Sequence, residues 1–152
     1  MPGTMRISQA VADEYEWCAR LMSSNEPWIT LQRDLQGCRD VLRRPGTELF
    51  VAHDSEDHPI GFILLAPHGL AASPYIASIA VAPECQGQGI GAQLLQFTEM
   101  RYRDRSHFFL LVSSFNPRAQ QFYRRHGYEC VGELKDYIVA GHSEFIFHKK
   151  VS

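Results

Sequence analysis

The stretch Gln86-Gly87-Gln88-Gly89-Ile90-Gly91 is a glycine-rich turn between two different patterns of apolar residues. Before it, residues 75–81 are apolar except for Ser78, which is typical of a strand that is buried on both faces. After it, apolar residues recur at helical spacing from Ile90 to about residue 103. The stretch therefore predicts a buried strand, a tight turn and a helix in direct succession.

A turn of this kind can bind phosphate groups. The first backbone N–H groups of a helix have no intrahelical partner, and glycine lets an anion approach them closely. Because the turn contains no arginine, backbone dipoles would make most of the contact. A P-loop would need Gly-Lys-Ser/Thr, and a dinucleotide fold would need a different glycine spacing. Taken alone, the turn is equally explained by tight packing of strand against helix.

Working outward from this turn, the apolar patterns predict the element order β-α-α-β-β-β-α-β-α-β-β. The expected strands are residues 7–10, 48–53, 60–66, 75–81, 107–112, 130–137 and 144–148, and the expected helices are residues 13–22, 31–42, 90–103 and 117–126. Thr30 is expected to cap the second helix, and Asn116 the fourth. This order predicts an α/β (α+β) fold with helices on both faces of a mixed sheet.

Composition narrows the class of protein. The 152 residues are 45% apolar and 21% charged, which is typical of one globular domain spanning residues 1–152. A formal net charge of -2 gives no electrostatic reason to expect a nucleic-acid partner. No apolar run approaches the ~18 residues of a membrane span, so no membrane partner is expected.

The cysteines and histidines bear on compartment and metal. The four cysteines form no Cys-x-x-Cys pair, and the first residues lack the apolar segment of a signal peptide. Free thiols in a reducing cytoplasm are therefore expected. The histidines form no cluster with metal-ligand spacing, so we expect no metal.

Two sets of residues resemble motifs of the GNAT N-acetyltransferase superfamily. Gln86, Gly89 and Gly91 match the acetyl-CoA signature Gln/Arg-x-x-Gly-x-Gly/Ala. A second family motif, Asn-x-x-Ala-x-x-x-Tyr-x-x-x-Gly-Phe/Tyr, is matched in register by Asn116, Ala119, Tyr123, Gly127 and Tyr128. The layout of the C-terminal part is similar to that of ribosomal-protein-alanine N-acetyltransferases.

The resemblance implies acetyl-CoA as co-substrate. It implies an acyl-CoA N-acyltransferase fold of about seven strands, mostly antiparallel, and four helices, in which a central parallel pair splays apart around the pantetheine arm. Backbone of Ile79 and Val81 would pair with the pantetheine amides. The full predicted cofactor set is Ile79, Ala80, Val81, Gln86, Gly87, Gln88, Gly89, Ile90, Gly91, Ala92, Asn116, Ala119, Phe122 and Tyr123.

The resemblance also implies a catalytic role for Tyr123. An amine that attacks the thioester expels a thiolate, and a nearby phenol with an ordinary pKa of ~10 can protonate that thiolate. Judged on spacing alone, Tyr123 would instead be an aromatic core residue of an amphipathic helix.

The general base is left open. Family members that acetylate protein N-termini often carry a glutamate at the position of Leu111, and many relatives carry a carboxylate on the strand that here offers only Ser78. Four other side chains and an ordered water remain as candidates. The side chains are Glu26, Asp136, His142 and Glu144.

The acceptor is expected to be a primary amine, bound by Glu26, Trp28, Ser78 and Tyr137. The C-terminal layout favours a peptide N-terminus, whereas the leucine at position 111 favours a small-molecule amine. A non-catalytic acyl-CoA-binding module is kept as an alternative, and a homodimer is left open.

Overall fold

One mixed sheet organises residues 5–151, the part of the chain that the computed structural model describes. Its strand order is β1-β2-β3-β4-β5-β7-β6, and every neighbouring pair is antiparallel except β4 and β5. The strands are β1 Arg6–Gln9, β2 Glu48–His53, β3 Pro59–Leu70, β4 Ser73–Val81, β5 His107–Ser113, β6 Glu129–Leu134 and β7 Glu144–Lys150. The predicted fold class and element order are therefore confirmed.

Four α-helices cover the two faces of this sheet within the described residues. They are α1 Ala12–Ser23, α2 Leu35–Leu42, α3 Ile90–Arg101 and α4 Pro117–Arg125, and a short 3-10 turn spans Pro83–Cys85. Side chains of α3 and α4 pack into one buried cluster that includes Leu94, Tyr123 and Phe147. Side chains of α1 and α2 pack into a second cluster. The two clusters define two faces of the sheet, named here the α3/α4 face and the α1/α2 face.

The parallel strands β4 and β5 are paired over only a short stretch. Tyr75 lies opposite Phe109 and Ile76 opposite Leu110, but β4 runs on to Val81 without a further partner on β5. The register of β4 against β3 also shifts beside Ala77, which is the mark of a β-bulge. The two strands therefore separate in the middle of the sheet.

The second helix begins later than predicted. Residues 31–34 are not helical, because Gln32 has a left-handed φ of 60° and breaks any helix there. Asp34 is the actual N-cap, and its side chain accepts a hydrogen bond from the N–H of Gly37 at 2.8 Å. Thr30 instead donates its hydroxyl to Glu26 at 2.7 Å, so the prediction that it caps this helix is wrong.

Two strand predictions also need correction. Residues 75–81 were expected to be buried on both faces, but Ile79, Ala80 and Val81 are only half-buried. Their exposure follows from the loss of the β5 neighbour. β6 ends at Leu134 rather than at residue 137, because Asp136 adopts a left-handed φ of 51° that a strand does not tolerate.

Among residues 5–151, no helix is long and apolar enough to cross a membrane.

Candidate active site

A cleft of about 1350 Å³ opens where β4 and β5 separate. Its central walls are residues 75–81 of β4 and residues 109–113 of β5. The glycine turn and α4 line it from the α3/α4 face, and the α1–α2 connection lines it from the α1/α2 face. A ligand in this cleft can therefore be reached from both faces of the sheet.

The glycines of the turn serve two different purposes. Gly87 and Gly89 have φ angles of 80° and 81°, and a Cβ at either position would meet no atom within 4 Å. Their requirement is therefore conformational. At Gly91, a Cβ would lie 3.0 Å from the ring of Phe122, so this glycine permits α3 to approach α4.

The turn presents backbone donors to the cleft. Gly89 is the N-cap of α3 and has no side chain to satisfy the first N–H groups of the helix. Ile90, Gly91 and Ala92 all line the cleft. Their N–H groups carry the partial positive charge of the helix N-terminus, which suits a phosphate. Gln88, also in the predicted cofactor set, does not line the cleft.

Helix α4 brings three predicted residues to the cleft. Asn116 caps the helix by accepting a hydrogen bond from the N–H of Ala119 at 3.3 Å, and both residues line the cleft. Phe122 lines it next to Gly91. The predicted cap at Asn116 is confirmed.

Tyr123 is buried in the packing of α4 but still lines the cleft. Its side chain is 7% exposed, and its ring makes edge contacts with the rings of Tyr128 and Phe147. Among the described residues, no group hydrogen-bonds its hydroxyl. Burial, with a smaller effect of Tyr75, raises the pKa of Tyr123 above its ordinary value. The phenol therefore stays protonated at neutral pH. The Tyr123 side chain is at the same time part of the core and part of the cleft wall.

A buried carboxylate, Glu144, lies at the opposite side of the gap. It is 3% exposed, it lines the cleft, and its Oε2 accepts a hydrogen bond from the hydroxyl of Ser113 at 2.7 Å. Burial raises the pKa of Glu144, and the Ser113 hydrogen bond and the charges of Arg33 and His142 partly offset the effect. Because Phe145 packs against the α3/α4 cluster, alternation along β7 directs Glu144 to the α1/α2 face.

The other candidate bases are less well placed. Glu26 lines the cleft, but both of its oxygens accept hydrogen bonds from Thr30. Asp136 accepts the N–H of Gly141 at 2.6 Å, and His142 packs against the ring of Phe115 at 4.7 Å. Neither Asp136 nor His142 lines the cleft. Of the four side chains, the structure thus brings Glu144 and Glu26 to the site.

The predicted acceptor residues lie around the same cleft. Ser78 is 8% exposed and lines it from β4. Trp28 is also 8% exposed and packs into the α1/α2 cluster while it lines the cleft. Tyr137 is 60% exposed and lines the cleft from the β6–β7 connection. Trp28 is therefore a fixed wall, whereas Tyr137 is a solvent-facing one.

Sequence reasoning missed other cleft residues, among them Arg33, Arg44, Tyr75 and Ser113. Burial, and next the charge of Glu144, raise the pKa of Tyr75 to about 12. These residues come from separate elements, and no local spacing relates them. The nearest thing to a signal is Ser113, a polar residue that ends an apolar strand.

The family model of the acetyltransferase (GNAT) domain matches residues 45–130, which is more than half of the chain. The matched region includes β4, the glycine turn, α3, β5 and α4. The chain belongs to the GNAT family of N-acetyltransferases. A comparison with curated proteins finds no match.

Solved structures agree with this fold. Nourseothricin acetyltransferase is 26% identical over 71% of this chain and 67% of its own, with a TM-score of 0.64. The Vibrio cholerae spermidine N-acetyltransferase, solved with CoA and spermine, is 16% identical over 96% of this chain and 95% of its own, with a TM-score of 0.74. The Escherichia coli ribosomal-protein-S18-alanine N-acetyltransferase is 17% identical over 98% and 95%, also with a TM-score of 0.74. The three names specify different acceptors, so the fold alone does not identify the acceptor of this chain.

Proposed function

We propose that this protein transfers the acetyl group of acetyl-CoA to a primary amine by direct attack of the amine on the thioester. The observation that carries the proposal is the gap between β4 and β5, with the N-terminus of α3 and its glycine turn at the edge and a protonated phenol lining it. A new N–C bond forms and the C–S bond breaks. The amine loses a proton to a base, and the departing thiolate gains one from an acid.

The donor fits the open edge of β4. Because pairing with β5 ends at Ile76, no described strand pairs with residues 77–81 on that side, where the side chain of Gln86 donates to the carbonyl of Val81 at 3.3 Å. Backbone N–H and C=O groups need partners, and the amides of a pantetheine arm can supply them at Ile79 and Val81. The first N–H groups of α3 would then hold the pyrophosphate, beside Asn116, Ala119 and Phe122 on α4.

Tyr123 would be the general acid. Its raised pKa keeps the phenol protonated at neutral pH, so it can donate a hydrogen bond to the sulfur and a proton to the thiolate as that group leaves. It lies on the α3/α4 face, which is also the face of the glycine turn, so the cofactor would enter from its side of the sheet.

Glu144 would take the proton of the amine. It is the carboxylate of the cleft that keeps one oxygen free of protein donors among the described residues, since Ser113 occupies only Oε2. A carboxyl with a raised pKa is a better proton acceptor than an ordinary one. It faces the α1/α2 face, opposite Tyr123, so base and acid would act from two sides of the thioester.

The test combines thiol release with thermal unfolding. The protein is mixed with acetyl-CoA and a panel of amines and N-terminal peptides, and free CoA thiol is measured. Acetyl-CoA at 100 times its Kd should add ~2.7 kcal/mol to the free energy of unfolding. Stabilisation without thiol release for any acceptor would indicate a non-catalytic acyl-CoA-binding module. The absence of stabilisation would exclude the proposed cofactor site.

A further inference from the structure

Two arginines line the cleft on the α1/α2 face, which is named here the acceptor region. The proposed acetyl transfer gives neither of them a role. Arg33 precedes α2 and is half-buried, and Arg44 follows α2 and is exposed. Among residues 5–151, neither guanidinium forms an ion pair with a carboxylate. Burial raises the pKa of Glu144 and of Tyr75, and the charges of Arg33 and Arg44, respectively, offset part of that rise, so both charges lie near the cleft.

The phosphates of the donor do not account for these arginines. Arg118 and Arg125 of α4 also line the cleft, and they belong to the face on which the glycine turn lies. Arg33 and Arg44 flank α2, which packs on the other face of the sheet. Cations on the acceptor side are therefore available for a negative charge on the acceptor itself.

The remaining walls of this region combine polar groups, among them Glu26, Ser78 and Glu144, with apolar ones. Glu144 is buried and offers an unpaired oxygen to a cation. Trp28 and Leu31 are almost fully buried and line the cleft with Leu70. An acceptor that fits this region carries a positive group towards Glu144, a negative group towards the two arginines, and an apolar carbon skeleton between the two.

We infer that this acceptor region binds an amphoteric amine, a small molecule with a primary amine that faces Glu144 and an anionic group that faces Arg33 and Arg44. The inference rests on the proposed acetyl transfer for its chemistry, but not for its binding geometry. A polyamine would place a second cation beside the two arginines, where like charges repel. Free amino acids, with the amine at the α or the terminal carbon, are the simplest members of the class.

The first experiment compares acceptors that differ in one group. A series of α- and ω-amino acids is tested against the matched amides and the matched amines that lack the carboxyl group, together with spermidine and an N-terminal peptide. A hydrogen bond between an arginine and a carboxylate is strong enough for ~10-fold or more in kcat/KM, so at least one acid should exceed its amide by that factor. Equal or better use of the amides, or a lead for spermidine or the peptide, would overturn the inference.

The second experiment assigns the preference to the arginines. Arg33→Met and Arg44→Met should reduce the preference for acid over amide towards one, with no change in the Kd of acetyl-CoA. Arg43→Met is the matched control, since Arg43 is next in sequence but lies over the ring of Tyr15 and outside the cleft. An unchanged preference in both variants would contradict the assignment.

Binding without chemistry separates this inference from the proposed function. Calorimetry of each acid and amide with the enzyme–CoA complex requires no acetyl transfer. Preferential binding of the acid without any thiol release would support the amphoteric site and exclude the catalytic proposal. Thiol release with no preference for the acid in either measurement would support the catalytic proposal and exclude the amphoteric site.

Discussion

The two halves of the cleft are built in different ways. The donor region, residues 77–92 and 116–123, presents backbone groups and side chains that lie close together in sequence. The acceptor region combines Arg33, Arg44, Tyr75 and Glu144, which come from four separate segments of the chain. The donor region therefore leaves a motif in the sequence, and the acceptor region does not.

This difference has a functional consequence. Backbone N–H groups recognise the feature that every acyl-CoA shares, so the donor region can stay the same while the acceptor changes. The side chains of the acceptor region come from distant elements, so each can be replaced without a change in the donor region. The predictions below separate the two regions, in order of decreasing expected effect.

Glu144→Gln removes the carboxylate that we propose as acceptor of the amine proton. We expect kcat to fall ~100-fold or more, which is the usual contribution of a general base. In the wild type, kcat/KM should rise with pH through the raised pKa of Glu144, and this limb should be absent in the variant. Acetyl-CoA affinity should not change. A pH–rate profile with the same acidic limb in both proteins would exclude Glu144 as the base.

Tyr123→Phe should lower turnover by ~10- to 100-fold, because positioning of the reactants leaves residual activity. The Kd of acetyl-CoA should stay close to that of the wild type. Tyr128→Phe is the control, since Tyr128 is also buried, contacts the Tyr123 ring, and does not line the cleft. Wild-type turnover for Tyr123→Phe, or an equal loss for both variants, would contradict a specific role as acid.

Gly89→Val should weaken acetyl-CoA binding by ~10-fold, because a left-handed backbone costs an L-residue about 1–2 kcal/mol and the turn would change shape. Gly141 is the matched control, because it lies outside the cleft but in the β6–β7 connection whose Tyr137 lines it. It has a φ of 88°, and a Cβ there would meet no atom within 4 Å. Gly141→Val should change the KM of the acceptor and leave the Kd of acetyl-CoA unaffected. Weaker acetyl-CoA binding in both variants would mean that the two regions are not separable.

Asp34→Ala should remove the N-cap of α2 and lower the free energy of unfolding by ~1 kcal/mol. Because Arg33 adjoins this cap, we also expect the acceptor KM to rise while the Kd of acetyl-CoA is unchanged. Asp34→Asn keeps a capping oxygen and should stay near the wild type. Denaturant unfolding and steady-state kinetics on the three proteins test both effects.

The smallest expected effect concerns stability. The fold raises the pKa of Glu144, so the folded state binds this proton more tightly than the unfolded state does. The free energy of unfolding therefore falls as pH rises from the pKa of Glu144 in the unfolded chain to its pKa in the folded protein. Glu144→Gln should therefore have a higher Tm than the wild type at pH 7, and the difference should vanish below about pH 4, where an ordinary glutamate is protonated. A lower Tm for the variant at pH 7 would show that the carboxylate is stabilised in the fold.

Sequence patterns predicted the sheet and the element order well, because those features depend on local periodicity. The motif residues of the donor region are close together in the chain, and their role stays a prediction. The start of α2 was wrong, since neither the left-handed conformation of Gln32 nor the hydrogen bonds between Thr30 and Glu26 follow from apolar spacing. The burial of residues 79–81 was wrong for a similar reason. Apolar composition predicted two covered faces but not the divergence of β4 from β5.

By itself, the sequence determined the glycine turn, the in-register Asn116 and Tyr123, and therefore the family. Tertiary structure brought two of the four candidate bases, Glu144 and Glu26, to the cleft, together with Arg33 and Arg44. The physical reason is the sequence separation of the residues that form each contact. A helix N-terminus and its cap are made by neighbours in sequence, whereas Ser113 and Glu144 meet only because β5 and β7 pair across the sheet.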